Sequence, residues 1–153
     1  MSPRVSSAGS PLHQRSMCEG AVPTDTQGEA FKLLGLVWFG APPVEVSRQA
    51  KRLLAIQREE GGWCQEPGLG PDAYASGEAL YALQASGMAS SNPAYRKGVA
   101  YLLRTQREDG TWYVHSRAVG FQPYIDSGFP HGPDQFISAA ATSFAVIALA
   151  HTL

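Results

Sequence analysis

One stretch of 22 residues, Tyr113 to Asp134 (YVHSRAVGFQPYIDSGFPHGPD), gathers many of the side chains able to do chemistry. Arg117 can hold an anion. His131, Asp126 and Asp134 bring an imidazole and two carboxyl groups that can hydrogen-bond a ligand. Loops this long inside a compact domain are usually functional or disordered. Tyr113, Phe121, Tyr124, Ile125 and Phe129 argue for order here. One expectation is a lid or cavity wall that offers Arg117, His131 and Asp134 to a ligand, with His115, Gln122 and Asp126 as its other polar members. The plainer expectation is that Arg117 pairs with Asp126 or Asp134, while His131-Gly132-Pro133-Asp134 shapes and caps the next helix. Asp72 and Tyr74, ahead of an Ala-rich stretch, are candidate cavity residues, or else a cap and a packing aromatic. Glu29 and Glu78 each follow a glycine and suit a first helical turn, where the helix dipole favours a carboxylate. The alternative places them at a cavity mouth.

Composition narrows the classes. A formal net charge of −1 leaves no electrostatic footprint for nucleic acid. Cys18 and Cys64 form neither a metal spacing nor a disulfide framework, so the compartment stays open. Cys64, His131 and Asp134 lack a zinc-site spacing, and neither a metal nor another cofactor is expected. No apolar run precedes Phe31, so no signal peptide is visible. Ile137 to Leu153 approaches the length of a membrane span. Ser138, Thr142, Ser143 and His151 interrupt it, so a buried core helix is expected.

The elements that must position these side chains repeat. Leu53 to Trp63 (LLAIQREEGGW) and Leu102 to Trp112 (LLRTQREDGTW) share seven of eleven residues at an offset of 49. Gly28-Glu29-Ala30 and Gly77-Glu78-Ala79 stand at the same offset. Thr142, Ala145, Ala148 and Leu149 overlay Ser76, Ala79, Ala82 and Leu83 at an offset of 66. Such self-similarity marks a repeat architecture.

Residues 1–24 read as an irregular lead-in and residues 25–153 as one helical domain. Five helices are expected: about Asp25–Phe39, Val44–Arg58, Ala73–Ser86, a fourth between the Asn92-Pro93 start signal and the Asp109-Gly110 stop, and Ile137–Leu153. The first, third and fifth are apolar on several sides. The second and fourth have one apolar face, with Val46, Ala50, Leu53 and Leu54, then Val99, Leu102, Leu103 and Gln106, turned inward. Helices buried all round belong to an inner layer and half-buried ones to an outer layer. The expected fold is therefore all-α, a partial α/α toroid (α/α barrel) of inner and outer helices.

The repeated turns resemble the QW motif of the terpenoid cyclase and protein prenyltransferase superfamily, which includes squalene-hopene cyclase. Lys97-Gly98, Tyr101-Leu102, Gln106, Gly110 and Trp112 fit that motif fully. Gln57, Gly61 and Trp63 fit it with Lys51-Arg52 in place of Lys-Gly. The resemblance covers about Asp25 to Leu153. It implies structural roles for the Gln and Trp, with the Gln bonded to backbone at a neighbouring helix end and the Trp stacked on it. It implies an isoprenoid as ligand, and Trp38, Phe39, Tyr81 and Phe144 as an aromatic wall able to stabilise a cation through ring faces; plain core is the alternative.

Catalysis in that family starts from an Asp-x-Asp-Asp acid motif. Here Asp25, Asp72, Asp109, Asp126 and Asp134 are all isolated. The expectation is thus a cyclase-like domain or a piece of one, not an autonomous cyclase; the alternative is a non-catalytic ligand- or partner-binding module. The family's rings have about six helix pairs. Both terminal helices should therefore expose apolar surface, to be covered by further sequence or by a second copy.

Overall fold

The helix starts follow from local chemistry. In the computed structural model, which describes residues 25–117 and 123–152, α1 spans Thr26–Trp38 and Asp25 caps it by accepting from the Gly28 N–H. α2 spans Pro43–Ala55, with proline at a first-turn position where its missing N–H costs nothing. Asp72 caps α3, Ala73–Ala85, by accepting from the Ala75 N–H. Asn92 accepts from the Ala94 and Tyr95 N–H groups to open α4, Pro93–Thr105. A short 3-10 turn, Gly132–Asp134, leads into α5, Gln135–Ala150. Among the described residues the fold is all-α, with one isolated antiparallel bridge between Trp63 and Asp72.

α3 is the centre of the packing. It lies most extensively against α5, then α1, with α4 over it, while α2 packs on α1. Ala79, Leu80, Ala82 and Leu83 of α3 are fully buried, as are Ala141, Ala145 and Ala148 of α5. Gly77 makes the α3–α5 approach possible: a Cβ there would lie 2.7 Å from Phe144 Cβ. Ser138 and Thr142 of α5 hydrogen-bond into the bundle, to Val114 and to the Trp112 N–H. These bonds tie one face of α5 to the bundle, but only 28% of Gly132–Ala150, long and apolar enough to cross a membrane, is buried, so α5 is half-buried and not the buried core helix expected. Apolar side chains are exposed on both terminal helices, Phe31 and Trp38 on α1 and Phe136, Val146 and Ile147 on α5; Leu33, Leu34 and Leu36 are buried.

The helix register corrects one repeat assignment. α1 and α3 match end to end at an offset of 47, from their caps Asp25 and Asp72 to Gly40 and Gly87, both at positive φ. The two Gly-Glu-Ala triplets, at 49, are therefore not equivalent. Two residues rotate a side chain by about 200° around a helix. Glu29 turns toward α2, where it accepts from Gln49 and, at 3.1 Å, from Arg52. Glu78 lies in the second turn of α3 and turns toward α1. The lead-in at 1–24 with Cys18, and Phe121, Gln122 and Leu153, lie outside the described residues.

Candidate functional site

The two repeated turns fold alike. Trp63 Nε1 donates to the Leu53 carbonyl and Trp112 Nε1 to the Leu102 carbonyl, both at 2.8 Å. Each indole thereby adds a donor to a carbonyl near a helix C-terminus; the Leu102 carbonyl also accepts from the Gln106 N–H at 3.1 Å. Both indoles are buried, at 0% and 1% exposure. The Trp63 N–H donates to Ser76 Oγ at 2.9 Å and the Trp112 N–H to Thr142 Oγ1 at 3.1 Å, so the offset of 66 between α3 and α5 holds in contacts. Gln57 Nε2 donates to its own turn at Gly61 O, 2.7 Å, and to Ala94 O in the first turn of α4, 2.8 Å. Gln106 makes the equivalent turn bond to Gly110 O at 3.0 Å.

A carboxyl cluster forms where the N-terminal ends of α1 and α3 meet. Tyr74 and Glu78 are four residues apart on α3, hence on one helix face. Gln27 of α1 reaches both, donating to Tyr74 Oη at 2.9 Å and to Glu78 Oε1 at 3.4 Å. Glu78 is 2% exposed, and its Oε2 is buried without a hydrogen-bond partner. Burial pushes its carboxyl up to about 7, helped by the negative charges of Asp72 and Asp25 and opposed by hydrogen bonds from Tyr74 and Gln27. Burial and the Glu78 charge push the Tyr74 hydroxyl up to about 12. A cavity of about 80 Å³ adjoins Glu78, bordered by Asp25, Gln65, Glu66 and Tyr74. It has room for a few waters at roughly 30 Å³ each. A second cleft of about 380 Å³ shares Asp25, Gln65 and Glu66 and reaches Arg58 and the buried Cys64 thiol. Tyr74 also meets Phe144 of α5 edge to face, centroids 5.8 Å apart. A carboxyl that is half protonated near neutrality beside an aromatic pair can donate a proton or a hydrogen bond.

Of the expected site residues, Asp72, Tyr74 and Arg117 come together here. Besides capping α3, Asp72 accepts from Gln65 at 2.8 Å. It pairs with Arg117 at 3.9 Å, so Arg117 does not pair with Asp126 or Asp134 as expected. Asp126, His131 and Asp134 lie apart from this cluster. Asp126 accepts from the Gly128 N–H within its own turn. His131, at φ 88°, contacts Thr111 Oγ1 at 2.8 Å on the second repeated turn. Asp134 makes no side-chain cap bond to α5. It accepts instead from the Ser116 N–H at 2.8 Å and the Tyr113 hydroxyl at 2.8 Å, which hold its carboxyl below the usual range. The loop is thus clasped onto the chain leaving the second turn, and Arg117 is its link to the Glu78 cluster. No group of His, Cys, Asp and Glu among the described residues could hold a metal ion. Of the expected aromatic wall, Trp38 and Phe39 are exposed at the opposite end of α1, Tyr81 is partly buried against the core, and Phe144 meets Tyr74.

From sequence Glu78 is only a helix-dipole partner or a residue at a cavity mouth. The Tyr74–Glu78 spacing was a legible signal, but the burial that raises the acid comes from α1, whose register the triplet match misplaces.

Glu78 predicts an unusual pH profile. Its folded value, about 7, lies above the ordinary glutamate value of 4.5, so the folded chain binds more protons between the two. Its stabilising contribution is complete below about 4.5 and is lost as pH rises through 7. Glu78→Gln should therefore flatten the profile between pH 5 and 8 and raise stability at pH 8 by about 2–3 kcal/mol. Urea melts at pH 5, 6.5 and 8 check this; a wild-type midpoint that rises from pH 5 to 8, or a mutant profile of the same slope, would contradict it.

No known protein-family model matches the chain.

Proposed function

We propose that this chain is a helical-repeat module of a terpenoid-cyclase-like α/α toroid, contributing part of the wall of a cavity for an apolar, isoprenoid-type ligand. The observation that carries this reading is the pair of turns in which Gln57 with Trp63, and Gln106 with Trp112, make matching hydrogen bonds. α1, α3 and α5 serve as inner helices, α2 and α4 as outer ones, and the rest of a larger ring is the natural partner. Within this reading the inner wall presents Tyr74, Phe144 and the neighbouring Glu78.

The chain is not a cyclase by itself. Its aspartates do dispersed work: Asp25 and Asp72 cap helices, Asp109 and Asp126 hold turns, and Asp134 clasps a loop. Neither cleft of the Glu78 region is an enclosed apolar chamber for a long isoprenoid. Incubation with squalene or oxidosqualene should give no cyclic product above a no-enzyme control. Product that disappears with one carboxylate substitution, Asp72→Asn or Glu78→Gln, would overturn the non-autonomous reading. The alternative, a non-catalytic binding module, is favoured to the extent that Asp72 is held by its cap bond and by Arg117.

A further inference from the structure

The two repeat units differ at one place only in kind: what lies against their turns. In the first unit α4 covers the turn. Gln57 reaches Ala94 O, and a Cβ on Gly61 would sit 2.4 Å from Lys97 O. Gly98 of α4 lies so close to Trp63 and Leu80 that a Cβ would meet each at 2.9 Å. The second unit presents the equivalent surface without a helix on it among the described residues. Gly110, at φ 82°, has only Gln106 Nε2 within 4.0 Å of a built Cβ. Gln106 is exposed where Gln57 is half-buried. Leu103 is 58% exposed, whereas its counterpart Leu54 packs against the core. Val146, which α5 places where α3 has the fully buried Leu80, is 53% exposed. Four equivalent pairs thus change from covered to open along one row, which continues the interface between the first turn and α4.

We propose that Gln106, Gly110, Leu103 and Val146 form a docking site for one amphipathic helix of the α4 kind, seated as α4 is seated on the first turn. The surface states the partner's chemistry. A carbonyl in its first turn accepts from Gln106 Nε2, as Ala94 O does from Gln57. Its backbone passes close over Gly110, as Lys97 does over Gly61. A glycine or other small residue faces Val146, as Gly98 faces Leu80; Trp112 is already buried, at 1% exposure. Three residues further on the partner carries a small side chain, because Thr111, with His131 Nε2 bonded to it at 2.8 Å, stands where the first turn has Gly62, the residue on which the Tyr101 ring rests. An apolar residue beside it covers Leu103. The α2 helix of a second copy does not meet these terms. Its residue at the glycine position is Gln49, which is buried and bonded to Glu29. Glu45, Arg48 and Arg52 make that face of α2 polar.

The experiment uses the full chain and a fluorescent peptide with the sequence Asn92–Thr105 carrying Tyr101→Ala. Such a short helix is marginal alone, so docking should also increase its helicity. The expected result is saturable binding by anisotropy with a gain of helical circular dichroism. Gly110→Ala and Val146→Asp in the protein, and Gly98→Leu in the peptide, should each weaken binding at least about tenfold. Both protein positions are open in the structure, so these variants should stay folded; a cooperative melt verifies that. Absence of saturable binding to the wild-type chain, or binding unaffected by all three changes, overturns the proposal. So does a dimer that excludes the peptide, which would assign the surface to a second copy. The inference rests on the internal repeat and not on the isoprenoid reading: cyclic product would overturn the latter and leave the docking result unchanged.

Discussion

Trp112→Ala is expected to lower stability by about 3–5 kcal/mol, the range for truncating a fully buried large aromatic. The indole is 1% exposed and its Nε1 donates to Leu102 O at 2.8 Å. Truncation would open a buried cavity and remove the indole's bond to Leu102 O, which keeps the Gln106 N–H as a donor, and both losses act in the same direction. Trp63→Ala should cost the same within about 1 kcal/mol, because its burial and its bond to Leu53 O are the same in kind. Trp38→Ala is the control. That side chain is 63% exposed, and surface substitutions usually fall within about 0.5 kcal/mol. Urea midpoints of the three variants measure the contrast. A Trp112→Ala midpoint equal to that of wild type would remove the turn from the framework of the fold and end the repeat interpretation.

Gly61→Ala should destabilise by about 3–4 kcal/mol, and Gly110→Ala by only about 1–2 kcal/mol. Both residues have positive φ, +94° and +82°, so alanine carries a backbone penalty at each. Only at Gly61 does the new Cβ also meet backbone, 2.4 Å from Lys97 O and 2.8 Å from its carbonyl carbon. A backbone oxygen cannot swing aside as a side chain can, so α4 must move off the turn. That movement would also strain the bond from Gln57 to Ala94 O. Thermal or urea denaturation of the two alanine variants decides the matter. Equal losses would mean that α4 does not rest on the first turn as described.

Much of the fold was readable because local rules and tertiary demands coincide. Asp25, Asp72 and Asn92 each cap a helix with the side-chain bond that their type and place predict. The seven shared residues of the two turns produce matching Trp and Gln bonds. Equivalence by sequence was less reliable where it rested on three residues. The Gly-Glu-Ala match at 49 competed with the real helix register of 47, and the identity of a short triplet says nothing about which way its glutamate points. Inward burial was expected for Leu103 and Gln106 from helical period alone. Both are exposed, because the period tells which side chains share a face and not whether a neighbour covers that face.

By itself, then, the sequence determined the all-α class, the starts of α1, α3 and α4, the paired turns and the absence of clustered aspartates, since each depends on residues within one or two helical turns of each other. Only the tertiary structure decided that Glu78 is a buried acid raised to about 7, that Arg117 joins Asp72, and that His131 and Asp134 belong to the second turn and its loop. These outcomes depend on desolvation and on partners 20 or more residues away for His131, and 45 for Arg117. Such proximity is set by how α1, α3 and α5 pack, through contacts such as Gly77 against Phe144, and no local pattern encodes it.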